Sequence, residues 1–182
     1  MTRLGPLRPD NRAQLAELLV ATGAFNGEEV GIALALFDTT VIAGADGDAG
    51  GAGDAQHDYE LVGAFEEERL VGYACFGPTP ATEGTFDLYW LAVHPEVQRG
   101  GVGSALVRAV EAILAARGGR LLVVETSSRA DYARTRAFYA RGGYVEAARV
   151  RDFYATSDDR IMLTTRLTPT RPTPRARGAA TR

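Results

Sequence analysis

The chain has 182 residues, a formal net charge of -3 and a hydrophobic content of 46%, as expected for a globular protein that buries its own core. All 20 basic residues are arginine, and the slightly acidic balance argues against nucleic-acid binding through bulk charge. A single cysteine, Cys75, excludes an intrachain disulfide and suits a reducing compartment. The sequence shows neither a signal-peptide pattern nor the ~20 apolar residues of a membrane span. We therefore expect a cytoplasmic protein that neither enters a membrane nor binds nucleic acid.

The N-terminal part of the chain predicts one strand and two helices. Thr2–Leu7 has the pattern of a short strand. Asp10 is placed to cap a first helix, which Gly23 ends. The start of Asn26–Ala43 has the pattern of a capping box, so this segment predicts a second helix.

Two segments have compositions that do not favour packing. Residues 44–57 are rich in Gly, Ala and Asp, which favours a flexible loop. Residues 168–182 are rich in Pro, Arg, Thr and Ala, which favours a disordered tail. We therefore expect one folded domain over residues 1–167.

The rest of the chain alternates strands and helices. The predicted strands are Tyr59–Phe65, Leu70–Phe76, Thr85–Val93, Arg120–Thr126, Tyr144–Val150 and Arg160–Leu167. The predicted helices are Ser104–Arg117 and Asp131–Arg141. We expect a loop over Arg151–Asp159, between the last two strands. Hairpins come first and one parallel crossover follows, so the sequence predicts an α+β fold with a mixed sheet, antiparallel N-terminal strands, one parallel βαβ unit and flanking helices.

A glycine-rich turn, Gln98–Gly103, joins a predicted strand to a predicted helix. The first backbone N–H groups of a helix have no intrahelical acceptor, and the helix dipole adds positive charge there. Glycines let a phosphate approach these donors closely. The turn therefore predicts a binding site for a phosphorylated ligand.

Three kinds of phosphorylated ligand are compatible with a turn of this type. A P-loop requires a lysine, and the chain has none. A dinucleotide site is partly matched by Gly101 and Gly103, but Leu106 stands at the third glycine position. Glu125 lies about 20 residues further on, where a ribose-binding acid would stand, which keeps this alternative open. The third ligand is acyl-coenzyme A.

The acyl-CoA interpretation rests on two motifs. The stretch LAVHPEVQRGGVG at residues 91–103 and the stretch TRAFYARGGY at residues 135–144 resemble motifs of the GNAT superfamily of N-acetyltransferases. The order of the predicted elements also agrees with that family. Where the family has an asparagine before the second motif, this chain has Ser127 and Ser128.

The resemblance implies where the acyl donor, acetyl-CoA, binds. His57 and His94 are isolated in the sequence, so we expect no metal site. The pantetheine arm would lie along the strand as an added strand, with a bulge near Leu91 and Ala92 that parts this strand from Arg120–Thr126. The pyrophosphate would bind the backbone of the glycine turn, and Gln98 would help to close that turn. The implied acyl-CoA-binding residues are Leu91, Ala92, Val93, Gln98, Arg99, Gly100, Gly101, Val102, Gly103 and Ser104.

The resemblance also implies direct attack of an amine on the thioester in a ternary complex. Tyr139 stands at the family position of the acid that protonates the leaving thiolate. Asp87, six residues before Val93, matches the base of histone-acetylating members. Glu125 matches the base of enzymes that acetylate ribosomal-protein N-termini, and Glu83 is a third carboxylate near the strand entrance.

The acceptor is left open by the sequence. It is an amine, carried by a small molecule or by a peptide N-terminus. The oligomeric state is also left open, and a homodimer is one possibility. The segment Arg151–Met162 loosely resembles the aromatic region that lines the peptide site of N-terminal peptide acetyltransferases. The alternative that is not an enzyme is a module that binds acyl-CoA but catalyses no reaction.

Overall fold

A computed structural model of the chain describes residues 1–42 and 59–168. The loop predicted at 44–57 lies outside the described residues, as does the predicted tail from residue 169 onward. The strands are β1 Thr2–Pro6, β2 Glu60–Glu66, β3 Arg69–Pro78, β4 Thr85–Val93, β5 Leu121–Ser127, β6 Val145–Ala155 and β7 Asp158–Arg166. The α-helices are α1 Arg12–Thr22, α2 Gly27–Phe37, α3 Val102–Ala116 and α4 Ala133–Arg141. No helix in the described ranges is long and apolar enough to cross a lipid bilayer.

The seven strands form one sheet in the order β1-β2-β3-β4-β5-β7-β6. β4 and β5 are parallel, whereas the other neighbouring strands are antiparallel. α3 connects the two parallel strands. The predicted α+β fold, with antiparallel N-terminal strands and one parallel βαβ unit, is confirmed.

The core lies on both faces of this sheet. On one face, α3 packs Leu106, Val110 and other apolar residues against β3, β4 and β5. On the other face, α1 and α2 cover β3 and β4 through residues such as Leu15 and Phe37. Cys75 is buried in this second cluster, as expected for a small core residue. The central strands are therefore covered on both faces, which holds β4 firmly in place.

Two predictions at the N-terminal helices differ from the structure. The predicted cap Asp10 lies inside a 3₁₀ turn, Pro9–Asn11, and α1 begins only after it. The cap prediction is wrong because the proline opens this extra turn before the helix. The second helix keeps α geometry only to Phe37 and continues as a π-helical turn over Asp38–Ile42. There the Thr39 hydroxyl donates to the Ala35 carbonyl oxygen at 2.9 Å, so a side chain bonds a helix carbonyl.

The predicted loop over Arg151–Asp159 is also wrong. β6 continues to Ala155 and β7 begins at Asp158, and the two-residue turn Thr156–Ser157 joins them, although the pairing with β7 is irregular between Val150 and Ala155. β6 is an edge strand, and every one of its residues is exposed. An edge strand with no buried face carries no alternation of apolar and polar residues, which is why the sequence pattern did not reveal that the strand predicted over Tyr144–Val150 continues beyond Val150.

Candidate active site

β4 and β5 are paired for only part of their length. Their pairing runs from Thr85 opposite Leu121 to Leu88 opposite Val124. β4 then continues to Val93, where it remains paired with β3 on its other edge. Beyond Leu88, the edge of β4 that faces β5 therefore has backbone N–H and C=O groups without a partner on β5, and such an edge can bind an extended ligand. This is the parting of strands that the family resemblance led us to expect.

The bulge that accompanies this parting lies earlier than predicted. Trp90 pairs with Cys75 and Leu88 pairs with Phe76, so Tyr89 is the extra residue. The prediction of a bulge near Leu91 and Ala92 is therefore wrong. The sequence could not locate the bulge because Leu88–Leu91 is a run of four large apolar or aromatic residues. Only the register with β3 shows which of them is unpaired.

The bulge changes which side chains of β4 face each helical layer. Leu88 and Leu91 both pack in the cluster beneath α3, although they are three residues apart. Trp90 and Ala92 pack in the cluster beneath α1 and α2. The bulge thus keeps apolar side chains on both faces while the strand turns away from β5.

The glycine turn places a helix N-terminus at the end of β4. Gly101 has φ 83° and directly precedes α3. The first backbone bond of this helix runs from the Ala105 N–H to the Gly101 carbonyl oxygen, at 2.9 Å. The N–H groups of Val102, Gly103 and Ser104 precede that bond and have no intrahelical acceptor. A Cβ added at Gly101 would meet no atom within 4 Å, so the space before these donors is open.

The remaining residues of the turn hold it against the strand. The Gln98 side-chain amide donates to the Val93 carbonyl oxygen at 3.2 Å, which closes the turn as expected. The Gly100 N–H donates to the Val97 carbonyl oxygen at 3.1 Å. Arg99, at φ 74°, is exposed and adds a positive charge beside the helix N-terminus. The arrangement is chemically suited to an anion.

The two sequence motifs meet at this turn. A Cβ added at Gly103 would lie 3.5 Å from the Phe138 ring of α4 and 3.5 Å from Val93. Tyr139 follows on the same helix and is 4% exposed. Its ring contacts Phe138 and Tyr144 edge to face, with centroids 5.0 and 5.2 Å apart. Burial raises the pKa of Tyr139 well above its usual range, so its hydroxyl keeps its proton.

Two of the candidate carboxylates flank the point where the strands part. Asp87 precedes the last paired residue of β4, and its Oδ2 accepts a hydrogen bond from the Thr79 hydroxyl at 2.6 Å. Glu125 follows the last paired residue of β5 and is ion-paired with Arg160. The Arg160 guanidinium also lies over the Phe153 ring, 4.8 Å from its centroid. Asp87 is thus bonded to a neutral group, whereas Glu125 is bound to a cation.

Ser127 and Ser128 are engaged in contacts between β5 and β7. The Ser127 hydroxyl donates to the Asp158 carboxylate and accepts from the Arg129 N–H at 3.0 Å. The Ser128 hydroxyl accepts from the Asp159 N–H at 2.8 Å. The Ser127 hydroxyl is therefore used both as a donor and as an acceptor, whereas the Ser128 hydroxyl accepts one bond.

The structure contains a cleft beside Asp87 that the sequence did not predict. It has a volume of about 330 Å³ and is lined by Tyr59, Tyr89 and the turn Gly77–Thr82. Tyr89 lies within the first motif's strand, but nothing in the sequence indicated that Tyr59 or Thr79 belongs near it. Their proximity follows from strand pairing, because β3 lies between β2 and β4.

The comparisons with known proteins agree with this geometry. A model of the acetyltransferase (GNAT) family matches residues 37–144. The chain is similar to a GNAT-family protein of Desulfovibrio desulfuricans, with 39% identity and a TM-score of 0.81 over 92% of this chain and 99% of that one. No curated protein matches the chain.

Two more distant structures show the same fold. One is the ribosomal-protein-S18-alanine N-acetyltransferase of Escherichia coli, at 20% identity and a TM-score of 0.67, covering 95% of this chain and 98% of that one. The other is the PaiA N-acetyltransferase of Thermoplasma acidophilum in complex with coenzyme A. It has 16% identity and a TM-score of 0.64, covering 91% of this chain and 99% of that one.

Proposed function

We propose that this chain, which belongs to the GNAT family of acetyltransferases and is an acyltransferase, transfers an acetyl group from acetyl-CoA to a primary amine. The observation that carries the proposal is the parting of β4 from β5 directly beside the free N–H groups of α3. A ligand with a phosphate at one end and an amide-containing arm at the other is complementary to this pair of features.

The donor site follows the length of β4 beyond its pairing with β5. The pyrophosphate is bound by the N-terminus of α3, and the pantetheine amides pair with the free edge of Tyr89–Val93. That edge is about 13 Å long at ~3.3 Å per residue. The thioester therefore lies near the bulge, where Asp87 is also found.

The transfer requires a base, a stabilised oxyanion and a proton for the sulfur. Asp87 takes a proton from the acceptor ammonium, directly or through one water. The amine nitrogen attacks the thioester carbonyl carbon and forms the C–N bond, and backbone N–H groups at the bulge stabilise the oxyanion. Collapse of the oxyanion breaks the C–S bond, and the Tyr139 hydroxyl protonates the sulfur. The second nitrogen proton leaves as the amide forms and restores the Tyr139 hydroxyl, while the proton on Asp87 passes to solvent.

The two carboxylates differ in their suitability for the base. Glu125 is ion-paired with Arg160, so its carboxylate is already engaged by a cation rather than directed at an acceptor. Asp87 is bonded to the hydroxyl of Thr79 and faces no such cation in its hydrogen bonds. We therefore place the base at Asp87 and give Glu125 a structural role.

The test is an assay of CoA release when the protein and acetyl-CoA are mixed with amines. We expect release that depends on the presence of a primary amine, together with an acetylated product in the mass spectrum. Tight acetyl-CoA binding without release for any small amine or peptide would support the silent acyl-CoA-binding module instead. Thermal stabilisation by NAD but not by acetyl-CoA would contradict the donor site and favour the dinucleotide alternative.

A further inference from the structure

We propose that the cleft beside Asp87 binds the acceptor, and that it accepts primary amines that carry no carboxylate next to the amino group. This inference rests on the proposed acetyl transfer and names the class of amine that the transfer uses.

The cleft is lined by Tyr89, which directly follows the point where β4 leaves β5. Asp87 and Tyr89 stand on either side of Leu88, the last residue of β4 that pairs with β5. Thr79, in the turn that walls the cleft, donates its hydroxyl proton to Asp87 Oδ2 at 2.6 Å. An amine held in the cleft is therefore adjacent both to the proposed base and to the end of the donor channel.

The walls of the cleft suit a small organic cation. The rings of Tyr59 and Tyr89 meet edge to face, with centroids 5.0 Å apart, and aromatic faces attract ammonium groups. Tyr89 is 39% exposed, so its ring is accessible. Burial, together with the nearby Asp87 carboxylate, raises the pKa of Tyr89 to about 12, so the phenol is neutral and has a proton with which to hydrogen-bond an acceptor. At about 330 Å³ the cleft holds a small molecule.

The charge of the lining selects among amines. Among the described residues that line the cleft, none is basic. Arg120 lies near the same turn, but its Nε donates to the Glu83 carbonyl oxygen at 2.9 Å and it is not part of the lining. An α-amino acid would bring its carboxylate close to Asp87 with no cation to offset the repulsion. Amines, diamines, amino-acid amides and esters avoid this cost.

The experiment measures kcat/KM for matched acceptors, using tyramine against tyrosine and tyrosine amide. Like-charge repulsion predicts that tyramine and tyrosine amide exceed tyrosine by about tenfold or more. Equal use of all three, or a preference for tyrosine, would overturn the inference while leaving the proposed transfer intact. An absence of CoA release with every acceptor, at normal acetyl-CoA binding, would overturn the proposed function and the inference with it.

Three variants test where the amine binds. Tyr59→Leu should raise the KM for tyramine roughly threefold to fivefold through the loss of a ring face, whereas Tyr59→Phe should keep it. Tyr154→Leu is the matched control, because Tyr154 is an exposed tyrosine on β6, in the other region where an acceptor could enter. We expect all three to bind acetyl-CoA like the parent protein. A rise in KM with Tyr154→Leu and none with Tyr59→Leu would place the acceptor at the β6–β7 hairpin and overturn the inference.

Discussion

The donor end of the proposed site is formed by backbone groups, whereas the acceptor end is formed by side chains. The donor end consists of backbone groups within the short stretch Tyr89–Ser104. The acceptor end consists of side chains from β4, from Tyr59 before β2 and from Thr79 after β3. A backbone site depends on local conformation and tolerates many side chains, whereas a side-chain site changes with each substitution. This difference explains how one fold can keep its acyl donor while its acceptors vary.

The largest expected effect is at the junction of the two ends. Asp87→Asn should lower kcat by about 10²-fold, since it removes the base that takes the ammonium proton. The dissociation constant for acetyl-CoA should not change, because the backbone of β4 is untouched. Steady-state kinetics and calorimetric titration measure the two quantities.

Glu125→Gln is the matched control for this prediction. Its kcat should stay within about threefold of the parent value, because Glu125 is held by Arg160 and does not take the proton. A larger loss of kcat in Glu125→Gln than in Asp87→Asn would move the base to β5.

The next prediction tests the donor end separately from the acceptor end. Gly101 and Gly118 flank α3, both have φ 83°, and a Cβ at either position would meet no atom within 4 Å. Alanine at either position should cost about 1–2 kcal/mol of stability through its left-handed conformation. Only Gly101→Ala should weaken acetyl-CoA binding, by about tenfold, since its methyl group would stand before the helix N-terminus. Equal affinities in the two variants would mean that no phosphate binds there.

A smaller effect concerns the proposed acid. Tyr139→Phe should lower kcat by roughly tenfold, with water partly replacing the hydroxyl as proton donor, and acetyl-CoA binding should be retained. Tyr144→Phe is the control, because Tyr144 is equally buried but donates its hydroxyl to Glu111 at 2.8 Å. That control should lose about 1 kcal/mol of stability and no turnover. Unchanged turnover in Tyr139→Phe would remove the acid role.

The smallest effect is expected at the ion pair on β5. Arg160→Gln should lower the free energy of unfolding by at most about 1 kcal/mol, because Arg160 and Glu125 are both partly exposed. Urea unfolding measures this loss. A tenfold or larger change in kcat would show that the charge of Glu125 matters to the reaction, which would contradict its structural role.

The order of strands and helices was largely readable from the sequence. The hairpins, the parallel crossover and the helix after the glycine turn all appear where apolar periodicity and turn residues predicted them. Two of the errors share a feature. The cap at Asp10 and the loop at Arg151–Asp159 lie where buried apolar positions are absent. Without a buried face, local pattern carries little information about where an element begins or ends.

The proposed site also has parts that the sequence predicts and parts that it does not. The sequence alone determined the glycine turn, the helix N-terminus that follows it and the aromatic motif on α4, because each depends on neighbours in the chain. Only the tertiary structure placed the bulge at Tyr89, the Thr79 hydroxyl on Asp87 and Arg160 on Glu125. These contacts depend on the register of β4 with β3 and of β5 with β7, and strand register is set by packing across the whole sheet.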